Sequence, residues 1–240
     1  MRLDQLMNLR GLASSRSKAH ELIKRGSVLV NKKVCKKPSK DVKKTDDLIV
    51  LDKNDWVGRG AQKLSFSLDF FEVKIDGKIV LDVGSSTGGF TQVLLKRGAK
   101  KIYAVDVGSN QLSPDLQNEP NIVSLEKRDV RSLENTFDLF FDLVVVDISF
   151  ISLINVLGHI DRVTKVPGEI ILLFKPQFEV GKKNLTKNGI VKNQKISLDT
   201  LQRIISELEK IGLEYQKRVK SEIKGKMGNQ EIFIYVKKKK

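Results

Sequence analysis

Short apolar runs alternate with longer amphipathic segments through most of this chain. Ile79-Val80-Leu81, KKIYAVD, NIVSL, DLVVVD and GEIILLF each carry a strand-sized, largely β-branched run, and they end near Asp82, Asp106, Leu125, Asp147 and Lys175. FTQVLLKRG places its apolar residues at helical spacing and stops at Gly98, and residues 195–211 form a longer helix of the same kind. Two more strands are predicted after it, the second of them QEIFIYV with Glu231. Strand and helix in alternation predict an α/β fold with a doubly wound sheet.

The N-terminal pattern differs. LASSRSKAHELIKRG reads as a cap and an amphipathic helix, with Ala19, Leu22 and Ile23 on one face. VLV, an Asn31-Lys32 turn, a basic loop through Lys44 and the strand LIVL at 48–51 complete a helix-and-hairpin module. The predicted organisation is a small α+β domain over 1–53, a linker over 54–60 around the only tryptophan, and a larger domain over 61–240.

Charge reinforces that division. The formal net charge is +15, and residues 1–53 hold 14 lysines and arginines against 6 carboxylates. Residues 217–240 hold 9 against 2, and the rest is balanced at 21 against 21. Charge gathered on one small module and one tail suits a polyanion-binding surface, although lysine also serves simply to solvate. Arg2, Arg16, Lys18, Lys24 and Arg25, with Asn31, Lys32 and Lys33 at the turn, are the candidate polyanion-contacting residues. A single cysteine, Cys35, excludes an internal disulfide and a cysteine-rich zinc site. His20 and His159 stand in no ligand spacing, so no metal is expected. No apolar run has membrane-spanning length and no leader is visible, which predicts a cytoplasmic protein.

Residues 82–90 read DVGSSTGGF. Asp82 is expected at the carboxyl end of its strand, where open parallel sheets hold their ligands. Gly84, Ser85, Ser86, Thr87, Gly88, Gly89 and Phe90 then make a small-residue turn into a helix. Packing alone would also explain a tight strand-to-helix turn. Asp106, ending the next strand, is placed to accept both hydroxyls of an adenosine ribose, a role shared by dinucleotide and S-adenosylmethionine sites. Asp129 and Val130 follow the third strand, where a methyltransferase arrangement would place an adenine edge. The loop lacks G-x-G-x-x-G spacing, and no G-x-x-x-x-G-K-[ST] occurs, which argues against a nucleoside triphosphatase.

Those motifs carry a resemblance. RLDQLMNLRGLASSRSKAHELIKRGSVLVN resembles the S4-like RNA-binding domain of ribosomal small-subunit protein four. GRGAQKL, LDVGSSTGGFT, YAVDVGSNQL, VVVDISFIS, LFKPQFE and NQEIFIYV resemble, in order, the TlyA family of ribosomal-RNA 2′-O-ribose methyltransferases, sometimes called hemolysins. The resemblance implies a Rossmann-like, FtsJ-like methyltransferase domain that uses S-adenosyl-L-methionine. It implies cytidine ribose in ribosomal RNA, or an assembled subunit, as the partner. The short N-terminus is similar to the subgroup acting on large-subunit RNA, with small-subunit RNA left open. Oligomeric state is not read from sequence. One departure is Asp129, where the family's motif carries asparagine.

The resemblance also implies a catalytic tetrad at Lys63, Asp147, Lys175 and Glu231. Asp147 and Lys175 each end an apolar strand at the ligand edge, where a charge needs pairing or a function. Lys63 and Glu231, taken alone, read as ordinary solvated residues. Methyl transfer to a hydroxyl requires alignment and partial removal of the hydroxyl proton. Lys175 is the expected proton acceptor or alkoxide stabiliser, with Lys63 and Glu231 orienting it and the ribose. Asp147 is expected between the methyl donor and the lysines. A non-catalytic ribosome-assembly factor and a membrane-active hemolysin are the alternatives. Retention of all four charged residues argues against the first, and the lack of a membrane-active segment against the second.

Overall fold

The structure, a computed structural model, describes residues 1–13, 15–51, 56–135 and 140–239. The chain divides into two compact units, Met1–Asp55 and Trp56–Lys240. Residues 54 and 55 of the expected linker lie outside the described residues, while 56–60 belong to the second unit.

The first unit begins with helices α1 (Leu3–Leu9) and α2 (Arg16–Arg25). The Ser15 hydroxyl accepts the Lys18 N–H to start α2, and Gly26, at φ 82°, ends it in the left-handed conformation that glycine adopts without strain. Strands β1 (Val28–Val30), β2 (Lys33–Val34) and β3 (Leu48–Val50) follow, in the antiparallel order β2-β1-β3. Asn31 and Lys32 both have positive φ, so the β1–β2 turn is the primed kind that matches strand twist. Leu3, Leu6, Met7, Ala19, Ile23 and Val28 form the core of this module. The helical period of α2 buries one apolar face, as its spacing predicts.

The second unit runs α3 (Gly60–Phe71), β4 (Ile79–Val83), α4 (Gly89–Lys96), β5 (Lys101–Asp106), α5 (Pro114–Gln117), β6 (Ile122–Glu126), β7 (Phe141–Val146), α6 (Ile154–Val163), β8 (Thr164–Phe174), α7 (Pro176–Glu179), α8 (Gln194–Lys210), β9 (Leu213–Lys220) and β10 (Ile232–Lys238). One seven-stranded sheet has the order β6-β5-β4-β7-β8-β10-β9. The strands from β6 to β8 are parallel, whereas β10 is antiparallel to both β8 and β9.

Pleating divides the core in two. Leu81, Val144, Val146, Leu172 and Ile234 pack with α6 and α8 on one face, while Val80, Val145, Ile171 and Phe233 pack with α3 and α4 on the other. Cover on both faces explains why the central strands read as continuous apolar runs rather than alternating ones. From β4 the chain winds outward through β5 and β6, then returns to β7 on the other side of β4. That reversal leaves a crevice beyond the carboxyl ends of β4 and β7, where open α/β sheets bind ligands.

One expectation is corrected at this point. Strand β4 runs on through Val83, so Asp82 lies inside the strand rather than at its edge. Its side chain is 0% exposed and accepts the Thr91 hydroxyl at 2.6 Å, while Oδ1 has no partner among the described residues. Burial, opposed by the Thr91 bond, pushes its pKa up to about 7. Asp82 ties α4 to β4 and lines neither cavity of the site.

Candidate active site

The glycine turn is built for close approach. Gly84 follows β4 at φ 82°, and a Cβ there would stand 2.7 Å from the Asp147 carbonyl oxygen. Only glycine lets the loops after β4 and β7 touch. Gly88, at φ 91°, faces Leu112 and Leu116, whose methyl groups would lie within 2.7 Å of an added Cβ. Gly88 therefore seats the turn on its neighbours rather than facing the crevice.

Two cavities open there. The larger, about 430 Å³, is lined by Gly84, Ser86, Asp106, Val107, Gln111, residues 128–131 and residues 147–151. The smaller, about 200 Å³, is lined by residues 58–60, residues 84–87, Gly89, Phe90 and Asp147. Gly84, Ser86 and Asp147 line both.

Asp106 is held by the loops on either side. Ser86 N–H donates to its Oδ2 at 2.8 Å, and Gly108 N–H donates to its Oδ1 at 2.7 Å. Each oxygen keeps acceptor capacity toward the larger cavity. Glu126, one strand over, accepts the N–H groups of Leu112, Gln111 and Asn110, which hold its carboxyl below the usual range and anchor the loop carrying Gln111. Asp129 and Val130 line the same cavity. The Asp129 carboxylate is forked by the Arg131 guanidinium at 2.9 and 2.6 Å, which lowers its pKa.

The four tetrad positions come together as two ion pairs. Lys63, on α3, donates to Glu231 Oε2 at 2.5 Å across 168 residues of sequence. Both side chains are buried, with Lys63 8% and Glu231 2% exposed. Lys175, which opens α7, places Nζ 2.6 Å from Asp147 Oδ1 and donates to the Ser149 hydroxyl at 2.8 Å. The amine also lies 3.5 Å from the Asp147 carbonyl oxygen, so it is held to that residue at side chain and backbone. Burial pushes the Asp147 carboxyl above its ordinary range, against the pull of Lys175 and Lys63. Those charges, together with that of Glu231, act on Asp147 as one cluster.

Several lining residues escaped the sequence reading. Residues 58–60 were assigned to a linker, yet they wall the smaller cavity, and a Cβ on Gly89 would lie 3.1 Å from the Ala61 nitrogen. The two glycines of GRG were the available signal. Ser149 and Phe150 were also missed. Phe150 is 88% exposed at φ 72° and lies against Phe178, beside Lys175.

In the first unit, Asp4 organises two of the basic candidates. Arg2 forks onto its carboxylate at 3.0 and 2.8 Å, holding it below the usual range, and Arg16 stands 3.6 Å away. Lys24, Lys32 and Lys33 are exposed and Lys18 is partly so, while the Arg25 side chain lies outside the described residues. Asn31 is engaged internally, donating to Asp46 and accepting the Asp47 N–H.

Comparison with known proteins matches this architecture. An FtsJ-like methyltransferase model matches residues 56–238, and an S4 domain model matches residues 1–48. The chain is 41% identical to the 23S rRNA (cytidine-2'-O)-methyltransferase TlyA of Campylobacter jejuni, across 98% of each chain. It is 38% identical to the 16S/23S rRNA (cytidine-2'-O)-methyltransferase TlyA of Mycobacterium tuberculosis, over 98% of this chain and 89% of that one. A solved structure from Streptococcus thermophilus that carries the hemolysin name superposes with a TM-score of 0.77 at 32% identity, covering 99% of this chain and 88% of the other. No helix among the described residues is long and apolar enough to cross a membrane. The chain belongs to the TlyA family, with an S4 domain followed by an FtsJ-like methyltransferase domain.

Proposed function

We propose that the chain methylates the 2′-hydroxyl of a cytidine in ribosomal RNA, with S-adenosyl-L-methionine as donor, large-subunit RNA as principal substrate and the cytoplasm as its place of action. The supporting observation is that Asp147, which lines both cavities, is paired with Lys175 and feels the charges of the Lys63–Glu231 pair. The residues fit the donor. Asp106 offers a fixed carboxylate to a ribose diol, the Gly84–Phe90 turn leaves room for a close ligand, and Asp147 presents negative charge toward a sulfonium. When bound, the donor supplies an activated methyl group whose leaving group needs no protonation.

The chain's own task is to place the hydroxyl and take its proton. A lysine acting as proton acceptor must be neutral when it acts, and Lys175 Nζ is the amine held at Asp147, where both cavities share a wall. Lys175 Nζ then presents a lone pair to the 2′-hydroxyl. Lys63, paired with Glu231, steadies the oxygen as charge develops on it. The direct test is to map ribose methylation in large- and small-subunit RNA, free and assembled, after incubation with protein and donor. A new 2′-O-methylcytidine is expected, and its absence from every substrate would reject the proposal.

Two binding predictions follow. Asp106→Ala should weaken the donor by on the order of 1–3 kcal/mol, because an acceptor fixed by two backbone bonds is lost. Wild-type affinity by calorimetry would remove Asp106 from the site. Neutralising Arg16, Lys18, Lys24 and Arg25 should flatten the salt dependence of RNA affinity by somewhat under one log–log unit per lost phosphate contact. Donor affinity should hold. An unchanged slope would place the RNA surface elsewhere.

A further inference from the structure

A lysine-bearing hairpin in the second unit reaches Glu231 through a buried asparagine and a glycine. Residues 181–195 contain Lys182, Lys183, Lys187, Lys192 and Lys195 and no carboxylate. All five lysines are exposed, and none has an ion pair with a described carboxylate. Residues 185–191 close as a hairpin, with Leu185 bridged to Val191 and Thr186 N–H donating to the Ile190 carbonyl; Lys182 and Lys183 lie in the turn before it, Lys192 directly follows it and Lys195 is in the first turn of α8.

Asn229 holds this hairpin. It is 4% exposed, its Oδ1 accepts the Val191 N–H at 3.0 Å, and its Nδ2 donates to the Gly189 carbonyl at 2.9 Å. Its own carbonyl accepts the Gly225 N–H at 2.9 Å, closing a tight turn over 225–229. Gly225 lies directly on the catalytic carboxylate, since an added Cβ would stand 2.5 Å from Glu231 Oε1 and 3.1 Å from its Cδ. Gly225 is not in the left-handed region, so glycine serves here for space and not for backbone freedom. Hairpin, Asn229, Gly225 and Glu231 form one chain of contacts ending at Lys63.

We infer that Asn229 and Gly225 are positioning residues that hold Glu231 on Lys63, and that the hairpin they anchor grips the phosphates of the RNA strand being methylated. This deepens the function proposed above and rests on it. Phosphates are the natural ligand of exposed lysines with no acidic neighbour in their own segment, and RNA supplies them in a row. The Glu231 carboxylate is thus held at both oxygens, Oε1 against Gly225 and Oε2 against Lys63. Movement of the hairpin is therefore felt at the reacting oxygen, where displacements near 1 Å are costly.

The test uses the full-length protein and ribosomal RNA. Replacing Lys182, Lys183, Lys187 and Lys192 by Gln should reduce the salt slope of RNA binding by about two units or more, at roughly 0.7–0.9 per contact. Gly225→Ala should slow single-turnover methylation at saturating RNA by about tenfold or more while leaving donor affinity unchanged. In a Glu231→Asp background, one methylene shorter, the same alanine should cost less than about twofold, because the space it needs is already vacated. Asn229→Asp, which keeps the acceptor for Val191, should be less impaired than Asn229→Ala. Equal Gly225→Ala losses in both backgrounds, or an unchanged slope in the lysine variant, would overturn the inference. A wild-type protein that bound RNA without methylating it would sink the function proposed above, and the slope would still decide the hairpin's role.

Discussion

Lys175→Ala is expected to lower the single-turnover rate of RNA methylation by roughly 10²–10⁴ while donor and RNA binding stay near normal. Its Nζ is the group placed between Asp147 and the Ser149 hydroxyl, and it lines neither the ribose contact nor the glycine turn. Removing it also strands the buried Asp147 carboxylate, which should then protonate more readily. Raising the pH from 6 to 10 should not restore the variant, because no other amine occupies that position. Lys63→Ala is expected to respond differently. It frees Glu231, whose charge acts on the same cluster, and alkaline pH should recover part of its activity if Lys63 serves mainly to keep Lys175 poised. Near-wild-type rates in Lys175→Ala would sink the mechanism and leave the fold untouched.

Asp82→Asn is expected to change stability in a pH-dependent way. The carboxyl titrates near 3.8 when unfolded and near 7 in the fold. The folded chain therefore binds more protons between those values, and its stability falls as pH rises through that window. The full difference is on the order of 4 kcal/mol, at about 1.4 kcal/mol per pH unit. Asparagine cannot ionise, so it escapes this loss. It retains an acceptor for Thr91 and leaves an amide where Oδ1 has no partner, a cost that does not vary with pH. Variant stability minus wild-type stability, from denaturant melts, should climb from pH 4 to pH 8. A difference flat across that range would show that Asp82 is not a buried, proton-holding carboxyl.

The sheet was largely legible because its signals are local. Strand-sized apolar runs at Ile79, Leu143 and Ile170 can be nothing else in an alternating chain, and the helix over 195–211 was displaced by one residue at each end. Asp106 stood out because its strand ends on it. Lys63 and Glu231 had no local signal, since pairing between residues 168 positions apart belongs to the tertiary fold. The Asp82 expectation failed for a related reason. A strand end read from hydropathy stops at the first charge, whereas the hydrogen-bond ladder carried β4 on to Val83 beside Val146. Residues 58–60 looked like a connector because glycines flanking an arginine signal flexibility unless a partner surface is known.

The placement of β10 between β8 and β9 bears on synthesis and turnover. The chain emerges with β8 and β9 made first, and the strand that separates them arrives last with Glu231 at its head. Until then β8 has an open edge and β9 has no sheet to join, and such edges invite mispairing. β10 and β9 are near neighbours in sequence, so they can pair as a hairpin before that hairpin docks on β8. A product cut by a protease within the loop before Gln230 would keep every described basic residue of the first unit and lose the final strand. If the first unit holds RNA as proposed, such a fragment would occupy the RNA without methylating it.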